Sequence, residues 1–185
     1  RQRQMCIRDS LGTDCIDLYL LHWRGQHPLE ETVEGFERLR EQGKIKRWGV
    51  SNFDVDDLRE LHNPDCATNQ VLYNPAQRGI EFDLLPWCEK RGLPTMAYCP
   101  LAQAGRLLQH PVLAEIAERH GATPAQVSLA WVTRDDGVIA IPKAVAPEHV
   151  RLNAAAGALT LTGEDLRAID RAFPAPTRKQ RLAMV

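Results

Sequence analysis

Short apolar runs rich in β-branched residues alternate along this chain with longer segments whose apolar residues recur at helical spacing between capping residues. The runs are Cys15 to Trp23 (CIDLYLLHW), Ile45 to Val50 (IKRWGV), Ala67 to Tyr73 (ATNQVLY), Leu93 to Cys99 (LPTMAYC) and Val138 to Pro142 (VIAIP). Their near-continuous apolar character and helix-length spacing predict mostly buried parallel strands joined by crossover helices. In the first spacer Pro28 suits a first helical turn, Leu29, Val33, Phe36 and Leu39 share one face, and Gly43 suits the left-handed C-terminal position. Asp54 is placed to cap a helix burying Val55, Leu58 and Leu61, and Leu84, Leu85 and Cys88 line another that Gly92 stops. The fourth crossover predicts two helices, one from Pro111 to Gly121 and one opened by the capping box Thr123, Pro124, Gln126. After the last run come a short helix from Pro147 and a final one capped by Thr162, with Leu166, Ile169 and Phe173 on one side and Pro174 ending it.

Five parallel strands with crossover helices fit either an open doubly wound sheet or part of an eight-stranded (β/α)8 TIM barrel, and the rhythm alone leaves both open. A doubly wound dinucleotide fold is expected to carry a G-x-G-x-x-G turn after a strand, and this sequence has none. A closed barrel typically needs about 250 residues, and the chain has 185. The opening residues 1–10, RQRQMCIRDS, have no usable periodicity and fit neither pattern. They read as a foreign, artefactual start joined to a real coding segment over 11–185, or as a natural disordered tail.

Composition narrows the partners. A formal charge of −1 and an apolar share of 44% describe a globular chain able to bury a core. Basic and acidic residues are interspersed, with no Lys/Arg stripe to track phosphates, so no nucleic-acid partner is expected. No apolar run approaches the roughly 20 residues of a spanning helix, and the charged start is no secretory signal, so membrane contact is not expected and a cytoplasmic location is the default. The five cysteines are scattered without a C-x-x-C pair, and the six histidines do not pair at ligand spacing with each other or with cysteine, which argues against a disulfide framework or a metal set. Cys15 and Cys99, inside apolar runs, read as small buried hydrophobes.

In a barrel the ligand lies over the carboxyl ends of the strands, which directs attention to the last residues of each run. These are His22 with Trp23, Ser51 with Asn52, Gln70 with Tyr73, Tyr98 with Pro100 and Leu101, and Lys143. Taken alone, Ser51 and Asn52 are ordinary turn residues before Asp54, Gln70 a strand amide met by backbone, and Tyr98 core filling.

The motifs DLYLLHW, IKRWGVSNF, NQVLYNP, MAYCPLA and IPKA, in this order and spacing, resemble the aldo-keto reductase family continuously from Leu11 to Val185. The segments PWCEKRGLPTMAYCPLAQAGRL and PAPTRKQRLAMV are most similar to bacterial members that reduce methylglyoxal and related small dicarbonyls. The resemblance implies the C-terminal five strands of a TIM barrel across whose mouth NADPH lies extended without a Rossmann unit, a small carbonyl substrate, and a monomeric parent. It implies that His22 polarises the substrate carbonyl, with Trp23 a candidate pocket wall, and that Ser51, Asn52 and Gln70 hold the nicotinamide carboxamide. It further implies that Tyr98 stacks on the ring, that Pro100, Leu101 and the small residues after them lie over the pyrophosphate, that Lys143 faces the 2′-phosphate, and that Asn153 contacts adenine.

The chain departs from the family pattern where Ala144, His149 and Leu152 replace the usual serine, arginine and glutamate, so no bidentate fork grips the phosphate and NADH use is open alongside NADPH. The family's proton-donating tyrosine and its lysine–aspartate pair belong to strands before the first one here. Of Tyr19, Tyr73 and Tyr98, the first has the wrong side-chain parity relative to His22, the second has no lysine–aspartate pair beside it, and the third already has a role. These 185 residues are therefore expected to be inactive and, with open strand edges, to self-associate. Two other readings stand beside this one: a non-catalytic cofactor-binding or assembly module of the same fold, and an artefactual gene product.

Overall fold

The computed structural model describes Ile7 and Ser10 to Val185; residues 1–6, 8 and 9, and with them the reading of the opening segment, lie outside the described residues. Strands form where the apolar runs predict them: β1 (Ile16–Leu21), β2 (Ile45–Ser51), β3 (Cys66–Leu72), β4 (Thr95–Tyr98) and β5 (Val138–Ala140). Between and after them come α1 (Leu29–Glu41), α2 (Val55–Leu61), α3 (Leu84–Glu89), α4 (Pro111–His120), α5 (Pro124–Val132), α6 (Pro147–Ala155) and α7 (Gly163–Ala172).

The five strands form one sheet in sequence order. β1 and β2 run parallel with Ile16 opposite Ile45 and Leu21 opposite Val50, and β4 and β5 run parallel with Thr95 opposite Val138. A doubly wound sheet reverses its order at a switch point, whereas a barrel wall adds each strand beside the last. The consecutive order selects the barrel type.

The outer strands are less buried than their sequences imply. Ile16 is the buried residue of β1, and Ile139 in β5 is 51% exposed. Each stands at an end of the strand order with one neighbour, so an apolar run there is not enclosed as it is in β2 or β3. Cys15 and Cys99 are also partly exposed, whereas Cys66 and Cys88 are buried. Both lie just outside a strand, where the side chain escapes the sheet face that the run predicts.

The chain forms two compact units, one through Asn69 and one from Gln70 to Val185. In the first, Trp48 is fully buried, stacks on Phe36 at 5.3 Å, and donates its indole N–H to Glu37 at 2.7 Å. Tyr19 meets the edge of the same Phe36 at 5.9 Å. This places Tyr19 against α1. Beside Trp48, Gly49 marks a close approach: a Cβ there would lie 2.7 Å from the Thr68 carbonyl oxygen and 2.9 Å from Leu20 Cδ2.

In the second unit Leu113 and Ile116 of α4, Val127 and Trp131 of α5, and Ile169 of α7 form the packed centre, each no more than 1% exposed. Arg78 and Arg134 both lie over the Trp131 ring, 5.0 and 3.9 Å from its centroid. A buried carboxylate links α4 to α7. Asp165 is 1% exposed, closes the capping box of Thr162, and pairs with Arg119 and with His120 Nε2 at 2.7 Å. Burial alone would raise its pKa, but hydrogen bonds from Arg119, His120 and Thr162 hold the carboxyl well below the usual carboxylate range.

Two outcomes follow from this packing. Gly49→Ala forces backbone apart between β2 and β3 and is expected to cost about 1–3 kcal/mol in urea unfolding; an unchanged midpoint would refute the close approach. Asp165, with a folded-state pKa below the unfolded value of about 3.9, stabilises the fold above that value, and the contribution is lost as pH falls through the folded pKa. Asp165→Asn is thus expected to lower the unfolding midpoint near neutral pH and to converge with the parent protein in strong acid, an idea that a constant gap across the acid range would sink.

Candidate functional site

At the carboxyl ends of β1 and β2 the first unit gathers four of the predicted site residues. His22 is the first residue past β1, exposed, with its ring 5.0 Å from that of Trp23, which is 43% exposed. Ser51 closes β2 and is 2% exposed, and Asn52 follows it with φ of +61°. Asparagine tolerates that left-handed conformation better than most residues with a Cβ. The turn brings Asn52 Nδ2 to donate to the His22 carbonyl at 3.4 Å and to Ser51 Oγ at 3.3 Å.

Three further restraints hold these loops. The Asn69 side chain, fully buried, donates to the Phe53 carbonyl at 2.8 Å and accepts from the Phe53 N–H at 3.4 Å. Asp54 accepts from the Asp56 and Asp57 N–H groups at 2.8 and 3.0 Å, while Asp57 accepts from the Asp54 N–H at 3.0 Å. Arg24 donates to Asp57 at 3.0 Å and pairs with Glu60, pinning the loop after β1 onto α2. Sequence reasoning did not pick out Asn69 or Arg24. The signal for Asn69 was a second amide beside Gln70 inside a buried strand, where every polar atom needs a partner.

The second unit holds the remaining candidates. Gln70 is partly buried on β3, and Tyr98 is partly buried at the end of β4. Burial raises the Tyr98 phenol, against a backbone hydrogen bond from Val185 that lowers it. Cys99 follows with φ of +48°, and its carbonyl accepts from Asn74 Nδ2 at 3.0 Å. Pro100 is buried, its carbonyl accepting from the fully buried Ser128 hydroxyl at 2.9 Å. Leu101 is partly buried, and after it Ala102, Gln103 and Ala104 all have left-handed φ values of 47°, 56° and 56°. Lys143 is exposed past β5 and in no ion pair among the described residues, and Asn153 is partly buried on α6. Tyr98, Pro100 and Leu101 thus share one restrained loop, whereas Gln70, Lys143 and Asn153 stand on separate elements.

Tyr73 does not line the mouth, contrary to the pairing with Gln70 drawn from sequence. It is 1% exposed, packs on Trp131 at 5.3 Å, donates its hydroxyl to Glu81 at 2.6 Å, and accepts from Arg134 at 2.9 Å. An odd separation along β3 turns residue 73 to the face opposite Gln70. Burial, reinforced by Glu81 and opposed by Arg134, holds its phenol well above the ordinary value. Among the described residues no group of His, Cys, Asp or Glu is placed to hold a metal ion, and no helix is long and apolar enough to cross a membrane.

Residues 4–173 match the Aldo/keto reductase family. The chain belongs to that family. It is 53% identical over 183 residues to the methylglyoxal reductase YeaE of Escherichia coli, covering 95% of this chain and 64% of that protein. It is 38% identical over 165 residues to a glyoxal reductase of Bacillus subtilis, covering 88% and 58%. The crystal structure of an aldo-keto reductase from Klebsiella pneumoniae in complex with NADPH superposes with a TM-score of 0.96 at 54% identity, covering 98% of this chain and 67% of that one. A second Klebsiella structure with the same score holds NADP and acetate. The chain thus spans 64% and 58% of the length of these curated relatives.

Within this aldo-keto reductase chain the Tyr73 hydroxyl is structural. Tyr73→Phe leaves Glu81 and Arg134 each short of one partner and is expected to cost about 1–2 kcal/mol in urea unfolding; an unchanged midpoint would sink the structural role of the hydroxyl.

Proposed function

We propose that these residues are the C-terminal part of an NADPH-dependent reductase of small aldehydes and ketones of the methylglyoxal type. The observation that carries the reading is the Asn52 turn, which brings a carboxamide between the carbonyl of His22 and the hydroxyl of Ser51 at two adjacent strand ends. A nicotinamide carboxamide has an oxygen and an NH₂ to be matched by donors and acceptors in fixed positions, and the amide and hydroxyl groups of Ser51, Asn52 and Gln70 are of that kind. Tyr98, a flat ring at a strand end, suits the nicotinamide face. The buried Pro100 and the small residues after Leu101 suit a close-lying pyrophosphate, the exposed Lys143 ammonium a 2′-phosphate, and Asn153 the adenine edge.

A nicotinamide nucleotide bound there supplies the hydride. His22 directs an imidazole N–H at a carbonyl oxygen, stabilising the negative charge that grows on it, and Trp23 offers an apolar wall. The names and bound ligands of the Escherichia, Bacillus and Klebsiella proteins support the same substrate and cofactor class. Ala144, His149 and Leu152 leave Lys143 without an arginine fork nearby in sequence, which lowers the expected discrimination against NADH.

A second reading, a cofactor-binding module without turnover, draws on the tyrosines. Tyr19 packs on Phe36 and Tyr73 is bound by Glu81 and Arg134, which leaves neither free to serve a carbonyl oxygen, and Tyr98 is assigned here to the nicotinamide ring. Both readings place turnover outside these 185 residues acting alone.

Titration of the purified protein with NADPH and NADH, followed by addition of methylglyoxal, separates the outcomes. Binding of NADPH, with NADH within about tenfold and Lys143→Ala narrowing the gap, is expected without cofactor oxidation. Turnover by the protein as it stands would overturn the assignment of inactivity, and absence of binding would overturn the cofactor reading.

A further inference from the structure

β3 and the turn after it carry two asparagines that the proposed reaction does not use. Asn69 is fully buried and Asn74 is 1% exposed. A buried primary amide brings donors and an acceptor that must be met inside the protein. Asn69 meets both functions on one residue, donating to the Phe53 carbonyl at 2.8 Å and accepting from its N–H at 3.4 Å. This is the pairing that a neighbouring strand would offer, made instead by a side chain. Asn74 treats the second loop in a related way: its Nδ2 donates to the Cys99 carbonyl at 3.0 Å, while its Oδ1 accepts from the Ala76 N–H at 3.0 Å.

The clamped residues occupy corresponding places. Phe53 directly follows Asn52, whose φ is +61°, and Cys99, with φ of +48°, directly follows Tyr98. In each case a buried amide seizes the backbone one residue beyond a side chain assigned to the nicotinamide, at a left-handed turn. Left-handed backbone is disfavoured for residues with a Cβ, so the turn at Cys99 needs an outside restraint. At Asn52 the residue type tolerates the conformation, and the restraint on Phe53 fixes where the turn leads.

We infer that Asn69 and Asn74 are positioning residues, each within its own unit: one buried carboxamide holds the turn that carries Asn52, and the other holds the turn that follows Tyr98. The inference rests on the cofactor reading above. Loss of either amide loosens the nicotinamide contacts and leaves Lys143 and Asn153, which stand on other elements, as they were.

The test titrates the 185-residue protein and its Asn69→Ala and Asn74→Ala variants with NADPH and with adenosine 2′,5′-bisphosphate, which has the 2′-phosphate but no nicotinamide. NADPH binding is expected to weaken about tenfold or more in each variant while bisphosphate binding stays within about twofold. Hydrogen exchange provides a readout independent of ligand: the Phe53 amide should lose protection in Asn69→Ala and keep it in Asn74→Ala. Cys99→Gly, which makes a left-handed φ easy, should restore most of the NADPH affinity lost in Asn74→Ala. Serine variants at 69 and 74 take over where an alanine variant does not fold.

Equal loss of both ligands, unchanged NADPH affinity, or unchanged exchange at Phe53 overturns the inference and leaves the cofactor reading standing; a failed rescue by Cys99→Gly removes the role of Asn74. If the unsubstituted protein binds neither ligand, the cofactor reading falls and this inference falls with it.

Discussion

A parallel strand that ends inside a protein hands its chain to a loop whose next N–H and C=O groups have no ladder partner, and each such buried group must be met by something else. The strand-end loops of each unit depend on how that requirement is satisfied. After β2 the Phe53 backbone is met by Asn69, after β4 the Cys99 carbonyl is met by Asn74, and the Pro100 carbonyl is met by Ser128. Because these partners are buried and sit on or beside regular elements, the loops they hold inherit the rigidity of the packed layers. Side chains borne by such loops are presented at fixed places, as the proposed recognition of a planar ring and its carboxamide would require.

Charge is handled by the same economy in the second unit. Glu81 accepts from Arg78, Arg134 and Tyr73, and the two guanidinium groups lie over Trp131. Arg78 also donates to Asp170 at 2.7 Å and to the Phe173 carbonyl at 2.6 Å, joining the turn after β3 to the end of α7. Exposed ion pairs contribute little, but Tyr73, Glu81 and the two arginines are largely buried and each has several partners, so removing one of the four strands the others. A functional consequence follows for Tyr73. Its hydroxyl is engaged in this network and cannot also serve a substrate at the strand ends.

Much of the local structure was legible because short-range chemistry dictates it. The capping boxes of Asp54, Thr123 and Thr162 form with their partners three residues on, and the strands begin and end within about two residues of the apolar runs. The family resemblance was legible for the same reason, since motifs such as LLHW and GVSNF are contiguous in the chain. Less visible were partners distant in sequence. Asn69 and Phe53 are 16 residues apart, Asn74 and Cys99 are 25 apart, and Arg24 reaches Asp57 across 33. No local pattern announces such a pair.

The amino-acid sequence alone thus determined the βα alternation, the helix caps, the set of strand-end residues and the family, because each is set by neighbours along the chain. Tertiary structure decided that the strands add in consecutive order, that β1 and β5 are partly exposed, that Tyr73 turns to the helices, and that buried amides hold the strand-end turns. Those outcomes depend on which surfaces meet after folding, and burial and hydrogen-bond satisfaction are properties of that meeting rather than of any one segment.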